Sequence, residues 1–334
     1  MKKFIKAFLI FISFPILYFI VLTIGYLYFD PFKVLYKYEN YTSDGLALNR
    51  DFVSTEVFIK NKNKYNYNSF IFGSSRTIAF RPSSWKKYLK PNDHVFMFDA
   101  SSENIYGIYN KIKFLDSTRI KIDNALIIIC RGTTFTPLVN NKSVLFIKHP
   151  KTSGESSTEF YTVMFKGYFS NPMFLFNYYC YKISGSYKPF MNGYIAKDKS
   201  TLNPITNETN LVDWDNELRK DPESYYIKQA HHFYTRAGER TDSINNITED
   251  QKIILNKIEK ILKKNNTKYK LVISPLYEQV KFSKQDINIL TSIFGKNIYD
   301  FSGKNKFTDS YLNYYESSHY RPFVGNSIMK SIYN

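Results

Sequence analysis

Two short stretches at opposite ends of the chain carry the side chains best suited to chemistry. Ile71-Phe72-Gly73-Ser74-Ser75-Arg76-Thr77 sets two hydroxyls directly after an apolar run and a glycine. Glu316-Ser317-Ser318-His319-Tyr320 sets a carboxylate three residues before an imidazole. A serine hydroxyl is a weak nucleophile until a base takes its proton, and a histidine base works best when a carboxylate fixes its tautomer. Ser75, His319 and Glu316 supply these three roles, and the chemistry they suit is attack on an acyl carbonyl. Gly73 lets the backbone turn tightly before Ser75. A helix starting after Ser75 would offer backbone N–H groups to a developing oxyanion. Taken singly, each motif is common, since Gly-Ser-Ser occurs in many turns and a surface histidine caps many loops. Their joint presence in one chain, in this order, is the informative feature.

The elements that must position them can be read from the apolar pattern. Ser69–Phe72, His94–Phe98 and Ala125–Cys130 read as short strands, and the continuous apolar run of the third implies burial on both faces, as in a parallel sheet. Pro82–Leu89 can open a helix with Pro82 in its first turn. Glu103–Leu115 carries Ile105, Ile108, Tyr109, Ile112 and Leu115 on one helical face. Thr248-Glu249-Asp250-Gln251 is a capping box before an amphipathic run through Leu262. Lys270–Ser274 is a fourth strand, stopped by Pro275. Ser283 caps a helix that ends near Gly295, Asn297–Phe301 is a fifth strand, and Pro322–Ile332 is a last helix. Strand–helix alternation of this kind argues an α/β sandwich around a mostly parallel sheet. Residues 30–66 read as a polar, extended or irregular connector, and residues 135–245 as an aromatic-rich insertion. That insertion either shapes a substrate pocket or simply covers the sheet.

The N-terminus has a different character. Met1-Lys2-Lys3-Phe4-Ile5-Lys6 precedes an uncharged apolar run from Ala7 to Phe29, which as a helix is about 35 Å long. Pro15 lies inside it, which membrane helices tolerate, and Tyr26 and Tyr28 lie where an aromatic belt would sit. The run is long for a signal peptide and lacks a small-residue cleavage pattern, so an uncleaved anchor is expected. Lys2, Lys3 and Lys6 place the N-terminus in the cytoplasm and the rest of the chain outside it, as a single-pass protein of the cell membrane.

The formal charge of +17 favours an anionic partner, and Phe and Tyr are frequent at 29 each. No zinc-knuckle or RNA-binding signature occurs, so nucleic acid is not the expected partner. No Cys or His spacing resembles a metal site, and the chemistry calls for no cofactor. Cys130 reads as a small buried hydrophobe, and a Cys130–Cys180 disulfide stays open. The adjacent His231 and His232 read as ordinary residues without a shared task.

The two motifs and their order resemble the SGNH (GDSL-like) hydrolase superfamily, in particular its membrane-anchored members that act on cell-surface polymers, such as proteins of alginate acetylation and of teichoic-acid D-alanylation. The resemblance covers roughly residues 66–134 and 268–332 and leaves the insertion unmatched. In the family the nucleophile is the third residue of Gly-Asp-Ser, so Gly73-Ser74-Ser75 gives Ser75, with Ser74 in place of the aspartate. The late Asp-x-x-His matches Glu316-x-x-His319, Pro322-Phe323-Val324-Gly325 is a familiar continuation, and Ile273-Ser274-Pro275 resembles the strand-ending Ser-Pro. Two blocks depart from the pattern. Ala100, Ser101 and Ser102 stand where an oxyanion-donating glycine is usual, and Arg131-Gly132-Thr133 replaces Gly-x-Asn-Asp. The backbone N–H groups of Ser101 and Ser102 are candidate oxyanion donors, and Ser74 and Gly132 join them as substrate-side candidates. Arg76 and Arg131 could each bind an anion or make a structural salt bridge.

The resemblance implies a flavodoxin-like three-layer sandwich with a mostly parallel five-stranded sheet over residues 67–334, behind the transmembrane segment 1–29. It implies an O-acyltransferase or esterase acting on a cell-surface polysaccharide, most simply on acetyl groups. As a transferase the protein would need a separate multi-pass membrane protein to supply the acyl group. The alternative is an inactive relative that binds or assembles an envelope glycan through its aromatic and basic surface.

Overall fold

The computed structural model describes every residue except 43–44, 138–141, 192 and 197–199; parts of the 135–245 insertion therefore lie outside the described residues. At its centre are five strands, β1 (Ser69–Phe72), β2 (Val95–Met97), β3 (Asn124–Ile129), β4 (Lys268–Ile273) and β5 (Ile298–Asp300). They lie in the order β2-β1-β3-β4-β5, and all four pairings are parallel. This is the strand order of flavodoxin-like doubly wound sheets, whose ligand crevice opens at the carboxyl ends where the winding reverses, here between β1 and β3.

Period-two alternation sends side chains to two separate cores. Phe70 and Phe72, Phe96 and Phe98, Ala125, Ile127 and Ile129, and Leu271 and Ile273 share one face. Ile71, Leu126, Ile128, Cys130 and Val272 share the other. The first face is covered by α2 (Arg50–Tyr65), α3 (Ile105–Ser117) and two later helices, Glu249–Lys264 and Lys284–Phe294. The second is covered by the turn Pro82–Trp85 and the C-terminal helix Pro322–Tyr333. The result is a three-layer α/β/α sandwich. The Thr248 capping box forms as read, with both reciprocal hydrogen bonds present, and Ser283 caps its helix through the Asp286 N–H.

Two local expectations are corrected. Residues 50–65 of the connector are helical. Asn49 caps α2 by accepting from the Phe52 N–H, and Phe52, Val53, Val57 and Phe58 enter the core as one helical stripe. Phe58 is fully buried against Phe70, Phe96 and Phe98, and burial of such a side chain contributes about 1.5–3 kcal/mol. The helix expected over Pro82–Leu89 is only one turn, Pro82–Trp85, followed by a tighter 3₁₀ turn at Lys86–Tyr88.

The apolar N-terminal helix α1 (Lys2–Phe29) is long and apolar enough to cross a membrane. Asp30 ends it in the left-handed conformation, and its buried carboxylate accepts from the N–H groups of Val34, Leu35 and Tyr36. The last turns of α1 pack on α4 (Ser157–Phe169), which forms a helical pair with α5 (Pro172–Ser184) inside the insertion. The rest of the insertion contributes a short hairpin, Thr201–Leu202 with Thr209–Asn210, and two helices, Val212–Lys220 and Pro222–Gln229.

Candidate active site

The turn that carries Ser75, the candidate nucleophile, is built by the end of β1. Gly73 has φ +147°, and a Cβ there would stand 2.8 Å from the Ile128 carbonyl oxygen, so the position accepts only glycine without backbone movement. The helix that follows is a five-residue 3₁₀ helix, Ser75–Ala79. Its first N–H groups, beginning with Ser75, have no acceptor within the helix. The Ser74 carbonyl accepts from the Thr77 N–H, and the Thr77 hydroxyl lies 3.0 Å from the carboxylate of Asp99.

The candidate base, His319, comes from a hairpin. Strands β6 (Tyr314–Glu316) and β7 (His319–Tyr320) pair antiparallel with Glu316 opposite His319, and α6 (Pro322–Tyr333) begins just beyond. Tyr314 and Tyr320 are buried beneath it, and the Tyr320 hydroxyl meets Ser274 Oγ at 3.0 Å, which ties the hairpin to the end of β4. His319 Nε2 lies 2.8 Å from Ser75 Oγ. On its other side, His319 Nδ1 is hydrogen-bonded to Glu316 Oε1. Glu316 Oε2 accepts from the Ser318 N–H at 2.6 Å.

These contacts assign the protons. An ionised carboxylate only accepts, so the Nδ1–H donates to Glu316 and Nε2 is left to accept from the Ser75 hydroxyl. Burial raises the Glu316 carboxyl, but the hydrogen bond and charge of His319, the Ser318 N–H and the charge of Arg76 outweigh it. The carboxyl therefore titrates below the ordinary glutamate value of 4.5. The imidazole keeps partial access to solvent, at 29% side-chain exposure, whereas Glu316 is more enclosed at 13%. The arrangement can deprotonate Ser75 as it attacks a carbonyl and hold the resulting imidazolium.

Arg76 lies between the two halves of the site. Its Nε donates to the Ser318 carbonyl at 2.8 Å and its guanidinium reaches the Thr133 hydroxyl at 3.2 Å, so it clamps the histidine loop to the nucleophile turn. Arg131 has the structural alternative: Asp242 and Glu278 hold its guanidinium at 2.7 and 2.8 Å. Gly132 is exposed beside it. Ser74 is buried, with its hydroxyl 3.6 Å from Cys130 Sγ on the underside of the turn. Ser101 and Ser102 form a turn after β2, Ser102 at φ +49°; among the described residues no hydrogen bond joins either to Ser75 or His319. Both cysteines are free, Cys130 buried and Cys180 partly so. His231 and His232 sit in an exposed 3₁₀ turn. Among the described residues no cluster of His, Cys, Asp and Glu could hold a metal ion.

Asp99 went unread in the sequence. It is fully buried at the end of β2 and accepts from Arg50 Nε at 3.1 Å and Asn207 Nδ2 at 3.3 Å as well as facing Thr77. It thereby joins α2, the insertion and the nucleophile turn. Its signal was available: a carboxylate at the carboxyl end of an apolar strand, where α/β sheets place their ligands.

No protein-family model matches the chain, and none of the curated proteins is significantly similar to it.

Proposed function

We propose that this chain is a membrane-anchored serine acyltransferase or esterase of SGNH type, acting outside the cytoplasm on O-acyl groups of a cell-surface polysaccharide. The observation that carries the reading is the continuous hydrogen-bonded line Glu316–His319–Ser75 at the carboxyl end of a doubly wound sheet. Ser75 Oγ attacks the acyl carbonyl while its proton passes to His319 Nε2. The tetrahedral adduct collapses, the C–O bond to the leaving alcohol breaks, and the alcohol leaves with the proton from His319. A sugar hydroxyl, or water, then attacks the acyl-serine by the reverse sequence. Glu316 holds the imidazolium in both halves. In the transferase form a separate multi-pass membrane protein supplies the acyl group. The apolar α1 with Lys2, Lys3 and Lys6 at its start supports the single-pass topology with a cytoplasmic N-terminus.

The test is turnover of acetylated sugars by the full chain in detergent. The wild type should release or transfer acetyl groups, and Ser75→Ala and His319→Ala should each abolish it. Equal turnover by the variants would end the proposal.

A further inference from the structure

Around Arg321, two residues after His319, is a cleft of about 330 Å³ lined also by Arg81, Asp215, Leu218, Arg219, Pro322 and Phe323. Three guanidiniums face one carboxylate there. The carboxylate is already engaged: Asp215 takes Arg81 at 3.0 Å and the Tyr315 hydroxyl. Arg321 donates to the Leu312 carbonyl at 3.2 Å and lies 5.1 Å from the Phe323 ring centre, but among the described residues neither it nor Arg219 makes an ion pair. Arg81 Nε is buried with no hydrogen-bond partner among the described residues, a donor that costs stability until something accepts from it.

The cleft is placed to serve the site. His319 and Arg321 are two residues apart on extended backbone, so both side chains leave the same side of the hairpin, with Cα atoms about 7 Å apart. The register continues past β7, with the Arg321 N–H bonded to the Asn313 carbonyl. Arg81 follows the nucleophile turn directly. Pro322 and Phe323 open α6, a helix of 12 residues, whose N-terminal end adds positive potential to the cleft. Phe323 is 45% exposed and offers an apolar plate beside the charges.

We infer that this cleft is a subsite for an anionic oxygen group, carboxylate or phosphate, on the polymer whose acyl ester is processed at Ser75. The inference rests on the proposed reaction for its polymer, but the binding itself needs no turnover. An anionic repeat seated on Arg219 and Arg321 would hold a neighbouring sugar against Phe323 and direct its ester toward Ser75.

Calorimetric titration of the full chain in detergent tests it with three probes: an oligogalacturonate, a glycerol-phosphate oligomer and a neutral dextran oligomer. One of the anionic probes should bind and dextran should not, and the stronger of the two names the anion. Arg219→Gln and Arg321→Gln should each weaken binding about tenfold, the loss of one charge-assisted contact. Lys113→Gln removes the same charge from α3 on the opposite face of the sheet and should leave binding unchanged. Ser75→Ala should bind as the wild type does. Equal binding of dextran, no binding of either anionic oligomer, unchanged affinity in both arginine variants, or equal weakening in Lys113→Gln would each overturn the subsite. Ester turnover with no anion binding would overturn the subsite alone; anion binding lost in the arginine variants without any turnover would overturn the reaction alone.

Discussion

Glu316 does more than neutralise charge at the residue scale, because its position decides which histidine nitrogen carries the proton. In Glu316→Gln the side-chain amide can donate to Nδ1. The proton then moves to Nε2, which can no longer accept from Ser75. Esterase activity should fall on the order of 10⁴-fold with little change in fold, as measured by kcat on a soluble ester. The same carboxyl also links to stability. Its titration is lowered in the folded state, so its contribution is complete above the ordinary value of 4.5 and is lost as pH falls through the lower folded value. The stability gap between wild type and Glu316→Gln should therefore be constant at neutral pH and shrink below about pH 4.5; a gap that widened on acidification would contradict this linkage. Ser75, His319 and Glu316 could be picked as candidates from sequence alone because residue type and spacing are local, and the fold brings the three together. Sequence left Arg131 open because the partners that hold it, Asp242 and Glu278, are more than a hundred residues away. A guanidinium's task depends on what the fold brings to it.

At the scale of elements, the site hangs on how β1 turns and on what holds the turn. Gly73→Ala should abolish activity and lower thermal stability, since the added methyl meets the Ile128 carbonyl and the left-handed φ disfavours any side chain. Behind the turn is a buried ionic cluster: Lys111 of α3 binds Asp51 of α2 at 2.7 Å and Glu103 at 2.5 Å, and donates to the Asp99 carbonyl at 2.9 Å. Lys111→Met would leave buried Asp51 without its cation and Glu103 with Lys148 alone, and should destabilise the protein by about 3–5 kcal/mol in chemical unfolding. The strands and the later helices were legible as short apolar runs, a capping box and a Ser cap. α2 was missed because Lys60, Asn61, Lys62, Asn63 and Lys64 give the segment a polar look, although Phe52, Val53, Val57 and Phe58 already had helical spacing. The helix after Ser75 is a single 3₁₀ turn, held through Thr77 by Asp99, which is distant in sequence but 3.0 Å away in space.

For the whole molecule, the question is how the α/β sandwich stands on the apolar helix α1. The Phe19 ring lies 6.1 Å from Phe165 and 5.1 Å from Phe169, and Tyr26 lies 5.3 Å from Phe165. In the proposed topology, with Lys2, Lys3 and Lys6 at one surface, the ~20 residues needed to cross the hydrocarbon would end close to Thr23. Phe19, and the turn between α4 and α5, would then lie at the outer edge of the bilayer. Met173, Phe176 and Ile183 on α5 are exposed, the last at 87%, as expected of side chains that meet lipid rather than water. Phe176→Trp in lipid nanodiscs should gain emission that is quenched by phospholipid brominated high in the acyl chain, whereas Ile227→Trp should not. Unquenched emission at position 176 would place the domain clear of the membrane. In the proposed topology the formal charge of +17 lies mostly outside the membrane, and association with an anionic polymer should then weaken as salt rises.

The most direct measurement is labelling of the full chain with a fluorophosphonate, with the modified residue located by mass spectrometry. The account predicts one adduct, on Ser75, absent in Ser75→Ala and reduced to background in His319→Ala. A folded wild type that takes no label, or an adduct on any other serine, would contradict it.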